Sequence, residues 1–361
     1  MQQMPTITEI LHKIAALQSG GNPQYAEGLF PCRRSYACDW IGRADNNIFY
    51  TAIIVFTLQR LVYYFDEEQQ NLFLRIREKA VQNYPAYQNQ KGKKTYNFWA
   101  KNPSQHFPHG YLCSRIKSFE LPDDADDTVL IYLTQAHSPE DVFWLKDELA
   151  HYSTLKPGQF KNFPAKYQAY SAYATFFSTA KMPIDHSLCV LCNILYFVYA
   201  HHLPHNAWDE GSLDLIVEAV RSEDYLKNPV ALAVHYPSAP VFLYHLTRLM
   251  ADFDIPKLET LLPQLKKNLS DLYVKEKKGM NRLVLAISML RLGMDIDEVL
   301  LPNPKELKKY AFFMFSKWSY SASEKLRNWA SIPFFQVNFA CEAYNLTLIL
   351  EYVQLKKLKE K

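Results

Sequence analysis

Six stretches of the chain share one plan, a short polar start followed by a run that is apolar nearly all round a helix. They occupy residues 45–56, 126–134, 185–199, 238–250, 281–292 and 337–353. A helix with no polar face has to be buried on every side. Between these runs lie stretches charged on one face only, at 67–83, 139–152, 212–221, 255–273 and 304–315. Buried helices alternating with half-exposed ones are the pattern of stacked helical hairpins. Six such pairs close naturally into a ring, with inner helices around a central cavity. The architecture this predicts is all-α, a single domain over 1–361 forming an (α/α)6 toroid of six inner and about six outer helices. An open helical array is the alternative.

Two stretches fall outside the plan, 20–43 and 84–121, and both read as long ordered loops. The second is rich in Asn, Gln, Lys and aromatics and leaves room for a β-hairpin. The basic tail from Leu355 to Lys361 reads as a solvated helix end.

The rest of the composition excludes more than it proposes. Of 361 residues, 48% are hydrophobic and 21% charged, with a formal charge of +3, so no nucleic-acid partner is expected. The N-terminus shows no basic region ahead of an apolar run, and the longest apolar stretch, 188–200, is interrupted by Asn193 and too short to span a bilayer. No transmembrane segment is expected, although peripheral membrane contact is compatible with the chain. Six scattered cysteines read as the reduced thiols of a cytoplasmic protein. The pair Cys189 and Cys192 has CxxC spacing inside an apolar helix, which suits buried thiols better than a metal site. Aromatic residues make 14% of the chain, enough to fill a large core or line a cavity.

One motif carries chemistry. Asp123-Asp124-Ala125-Asp126-Asp127-Thr128 sets four carboxylates within five residues, directly ahead of an apolar run. Like charges this close raise at least one pKa, and a neutral carboxyl in apolar surroundings is what a general acid needs. The same residues suit a helix N-terminus, where Asp caps backbone N–H groups and complements the dipole. Residue types alone leave both readings open.

The string Leu121-Pro122-Asp123-Asp124-Ala125-Asp126-Asp127-Thr128 resembles the DxDD(T) signature of class II terpenoid cyclases, a superfamily also built from (α/α) toroids. The resemblance implies Asp126 as proton donor to an isoprenoid alkene, with Asp124 and Asp127 tuning it. Aromatic walls would then steady the carbocation. No QW-type repeat accompanies the motif. Asp123 to Asp127 also satisfies the DDxxD pattern of class I terpene synthases, but Asp209, Ser212 and Glu218 do not form the second metal motif of that class. The partner implied is a hydrophobic small molecule, an isoprenoid. No cofactor is expected, with Mg2+ entering only if the substrate is a diphosphate.

Other candidates follow from position. Asp45, Asp126 and Asp185 each begin a buried run, so in a ring they can converge on one mouth of the cavity. A converging carboxylate pair also describes (α/α) glycan-processing enzymes, while three ordinary caps describe neither activity. Trp40, Tyr96, Phe98 and Trp99 are the candidate cavity walls. Arg33, Arg34, Lys93 and Lys94, with Arg43 and Lys91 nearby, are candidates for a diphosphate head group. His201, His202 and His205 are spaced to hold a metal or to cap a helix C-terminus. A toroid without catalysis, binding a lipid or a protein, completes the set.

Overall fold

The computed structural model describes residues 4–36, 42–102, 105, 120–153, 163–178, 186–277, 279–297, 299–316, 329 and 332–360. The chain is mostly helical. Its principal helices are α1 (Ile7–Leu17), α2 (Phe49–Leu61), α3 (Glu67–Val81), α4 (Ala125–Thr134), α5 (Pro139–Ser153) and α6 (Leu188–Ala200). They continue as α7 (Ala207–Arg221), α8 (Ala239–Asp252), α9 (Leu262–Lys275), α10 (Gly279–Arg291), α11 (Pro304–Lys309) and α12 (Glu342–Lys359).

The six apolar runs become α2, α4, α6, α8, α10 and α12. These pack against one another in cyclic order, α2 on α4, α4 on α6, α6 on α8, α8 on α10, α10 on α12, and α12 back on α2. Their faces are buried nearly throughout; in α6, residues Leu188 through Val198 are all buried. The half-polar helices lie against this cycle, with α1 on α12 and α3, α3 on α2, α7 on α6, α9 on α10 and α11 on α12.

Capping boxes fall on flanking helices, though α9 starts at Leu261 without a side-chain cap. The flanking helices α1, α3, α7 and α11 each open with a reciprocal capping box, from Thr6 and Glu9, Asp66 and Gln69, Asn206 and Asp209, and Asn303 and Glu306. Such boxes satisfy backbone donors locally, which suits a terminus facing water. In the cycle, α2, α6, α8 and α12 start at Ile48, Ser187, Ser238 and Cys341 without a side-chain cap. By contrast α4 carries a side-chain cap, and it comes from the acidic motif.

A four-stranded antiparallel sheet corrects the expectation of a purely helical chain. Its order is β2-β1-β4-β3, from β1 (Cys32–Tyr36), β2 (Arg43–Asp45), β3 (Ala311–Ser316) and β4 (Gln336–Ala340). The stretch 20–43 is therefore not only loop. The amphipathic run 304–315 is a helix only to Lys309, and the sixth apolar run begins as strand before becoming α12. Short aromatic runs such as Ala311-Phe312-Phe313-Met314-Phe315 read equally as buried helix or strand, and β-propensity decided this one. The central pairing, Arg33 with Ala340 and Ser35 with Asn338, joins segments about 300 residues apart, beyond the reach of local periodicity. Gly28 fixes the approach to β1. Its φ is +90°, and a Cβ there would lie 2.1 Å from the Lys79 carbonyl oxygen. In the stretch 84–121, Gln88 and Tyr96 form an isolated antiparallel bridge.

No helix among the described residues is long and apolar enough to cross a membrane.

Candidate functional site

The acidic motif divides its labour. Asp124 is the N-cap of α4, its Oδ1 accepting from the backbone N–H of Asp126 at 2.7 Å and of Asp127 at 3.2 Å. Asp123 is turned the other way and accepts from Asn89 and from the Thr95 hydroxyl at 2.6 Å, with the Lys101 ammonium 3.4 Å away. Both act as local structure.

Asp126 and Asp127 do not cap. Asp126 sits in the first turn of α4, buried, and accepts from the Asn193 amide on α6 and from the Tyr236 hydroxyl. Asn193 in turn accepts from Arg248 on α8. Burial pushes the Asp126 carboxyl upward, against those two hydrogen bonds and the Arg248 charge. Asp127 is pushed well above the ordinary range, first by burial and then by the neighbouring Asp124 and Asp126. Its Oδ1 has no hydrogen-bond partner among the described residues. A carboxyl in that setting is best held neutral.

A second polar set fills the same helix cycle. Glu351 on α12 accepts from Arg60 of α2 at 3.2 Å, from the Tyr244 hydroxyl of α8 at 2.8 Å, and from Arg291 of α10. Arg60 also grips Asp252 with two bonds of 2.6 and 2.9 Å, and Tyr196 donates to the same carboxylate at 2.6 Å. Arg248 joins the two sets, its guanidinium lying over the rings of Phe56 at 4.8 Å and Tyr244 at 5.6 Å. Every helix of the cycle contributes a side chain to these networks. They bring charged and aromatic side chains of all six helices together.

The aromatic space lies instead beside the acidic motif. A cavity of about 30 Å³ is bounded by Phe98, Trp99, Phe176, Phe313, Phe315 and Phe339, with His235, Leu121 and Asp124 completing the wall. His235 stacks parallel to Phe313 at 5.7 Å, and Phe98 stacks on Phe313 at 5.3 Å. The cavity has room for one compact group. On the other side of the sheet lies a far larger open groove of about 1270 Å³.

The remaining candidates are scattered. Asp45 ends β2 instead of opening α2. It is buried and accepts from Asn47 at 2.8 Å and from the Trp99 indole N–H at 3.1 Å, with Arg34 at 3.9 Å. No hydrogen bond or ion pair joins it to Asp126 among the described residues, and Asp185 and Trp40 lie outside them. Phe98 and Trp99 border the aromatic cavity. Tyr96 does not; its backbone clamps the start of α4, donating to the Thr128 hydroxyl at 2.9 Å and accepting from Asp124 N–H at 2.9 Å. The four diphosphate candidates are not brought together. Arg34 is buried beside Asp45, Lys93 bonds Glu148 and Tyr152 at 2.9 Å each, and Lys94 pairs with Asp141. Only Arg33 faces the open groove. His205 lies 3.4 Å from Glu210, and no group of three metal-binding side chains occurs among the described residues. Cys189 and Cys192 are buried free thiols.

Tyr236, Asn193, Arg248, His235 and the sheet phenylalanines were not singled out as site residues by sequence. The available signal was polarity inside apolar runs: Asn193, Arg248 and Glu351 each interrupt one.

Neither a family model, a curated protein nor a solved structure matches the chain.

Proposed function

We propose that the closed helix cycle is an (α/α)6 toroid, and that the protein binds a hydrophobic small molecule at the aromatic cavity beside Asp124. One observation carries this. The Arg248, Glu351 and Tyr244 networks set charged and aromatic side chains between the helices of the cycle, which argues against an apolar chamber there. That favours binding over cyclisation, and six aromatic walls favour an apolar group such as the end of an isoprenoid. The buried free thiols Cys32, Cys189, Cys192 and Cys341 suit a reducing, cytoplasmic setting.

A second reading rests on a separate observation. Asp126 and Asp127 are buried carboxyls with raised pKa values in the first turn of α4. That supports the terpenoid-cyclase resemblance, with the pair holding a proton for an alkene and Asp126 as donor.

Linear C15 to C30 isoprenoids and their diphosphates, incubated with the protein and followed by native and product mass spectrometry, separate the two. Ligand retained unchanged, and lost when Phe313→Trp fills the cavity, supports binding. A cyclised product that disappears in Asp126→Asn establishes the proton-donor reading instead. Neither retention nor product would sink both.

A further inference from the structure

Cys32 and Cys341 stand near opposite ends of the chain, and the sheet sets them side by side. Strands β1 and β4 pair antiparallel, with Arg33 opposite Ala340, Arg34 opposite Phe339, Ser35 opposite Asn338 and Tyr36 opposite Val337. One step further along that register, Cys32 stands opposite Cys341. The strand geometry reaches that far. Cys32 opens β1, and Cys341, with φ −129° and ψ 111°, is still extended before α12 begins. Opposed residues of an antiparallel pair share a face and have Cα atoms about 4.5–5.5 Å apart. A disulfide needs a Cα separation of about 4.4–6.8 Å. Both cysteines are fully buried free thiols.

Two tyrosines brace the backbone at this point. The Tyr25 hydroxyl donates to the Cys32 carbonyl at 2.7 Å, and the Tyr50 hydroxyl donates to the Phe339 carbonyl. The charged groups facing Cys32 are Asp45 and Arg34, while Glu342 adjoins Cys341. Burial raises both thiols, that of Cys341 to about 12, so either reacts slowly. Of the two, Cys341 has the N-terminus of α12 to favour its thiolate. The chain neighbours of the pair, Pro31, Arg33, Ala340 and Glu342, all line the large open groove, so a water-sized reagent has a short way in.

We propose that Cys32 and Cys341 are a site of reversible oxidation, closing to a disulfide with hydrogen peroxide as the oxidant. The Cys341 thiolate attacks one peroxide oxygen; the O–O bond breaks, hydroxide leaves and a sulfenic acid forms. The Cys32 thiolate then attacks that sulfur; the S–S bond forms, the S–O bond breaks and a second hydroxide leaves. The protons given up by the two thiols turn both hydroxides into water. Peroxide is thereby reduced to two waters, and the thiol pair loses two electrons. The bond ties the first strand to the last helix and closes a loop of most of the chain, which constrains the unfolded state. It depends on neither reading of the aromatic cavity.

The test is peptide mapping by mass spectrometry. The native full chain is treated with a few equivalents of hydrogen peroxide, alkylated, and digested without reductant. The expected product is a linked pair of peptides holding Cys32 and Cys341, two hydrogens lighter than the separate peptides and split by dithiothreitol. The oxidised chain should melt about 5 °C above the reduced one. Cys32→Ala and Cys341→Ala should each lose both the link and the peroxide-dependent shift. The map of the unsubstituted chain decides the matter by itself should a variant fail to fold. Cys32 and Cys341 that stay open to alkylation, that stop at sulfinic or sulfonic acid, or that link instead to Cys38, Cys113, Cys189 or Cys192 overturn the proposal. So does a link that lowers the melting temperature, because the two thiols would then have been drawn together from elsewhere.

Discussion

Glu351 and the Asp126–Asp127 pair are equally buried within one helix cycle, yet their acidities move in opposite directions. Glu351 is held below its usual value because Arg291 and Arg60 surround it and outweigh the cost of burial. The aspartates rise because burial dominates, with one arginine near Asp126, two carboxylates near Asp127, and an oxygen of Asp127 left unbonded. Burial alone therefore does not set the charge state of a core carboxyl. The count and distance of compensating cations do. One set is an ionic clamp, the other a pair of buried carboxyls whose ionisation burial opposes.

Breaking the clamp is the largest expected effect. Glu351→Ala leaves Arg291 buried without a carboxylate, while Arg60 keeps Asp252, and should cost about 3 kcal/mol of unfolding free energy, read by urea denaturation. A loss below about 1 kcal/mol would mean that water reaches the arginines.

Next comes the response to pH. The lowered Glu351 contributes stability above its ordinary value of 4.5 that is lost as pH falls through its folded value. The raised aspartates do the reverse. Below 3.8 both folded and unfolded forms are protonated; as pH rises through the folded values, the native state loses stability because it must ionise a buried group. The stability curve should therefore be highest in mildly acid solution. Asp127→Asn should remove much of the decline on the alkaline side, where wild type and variant are compared by thermal melting. At neutral pH it should raise stability by about 1 kcal/mol, since the unfolded chain no longer gains from ionising a carboxyl that burial keeps from ionising in the folded state.

The smallest effect belongs to the cap. Asp124→Asn should lie within about 0.5 kcal/mol of wild type, whereas Asp124→Ala should cost about 1 kcal/mol. Parity between the two would mean that the Asp124 hydrogen bonds to residues 126 and 127 carry no stability.

Much of the helix cycle was legible in the sequence because runs such as 188–200 are apolar all round, and that pattern has one physical outcome. The acidic motif was legible as a choice, and each half of it found residues: Asp124 caps, while Asp126 and Asp127 are buried with raised pKa values. The sheet was not legible. Its central strands lie at opposite ends of the chain, and Arg33 through Tyr36 carries no alternation strong enough to announce a strand. The partners of Asp126 were hidden for a similar reason, since Asn193 and Arg248 come from other helices and are brought to it only when the cycle closes.

The opposed acidities are tested most directly by carbon-detected NMR titration of the side-chain carboxyls, assigned through Asp126→Asn, Asp127→Asn and Glu351→Gln. A carboxyl of the aspartate pair should titrate above 3.8 and above the exposed aspartates, while Glu351 titrates below 4.5. Aspartates that both ionise at or below 3.8 would contradict the account, because the pair would then hold no proton.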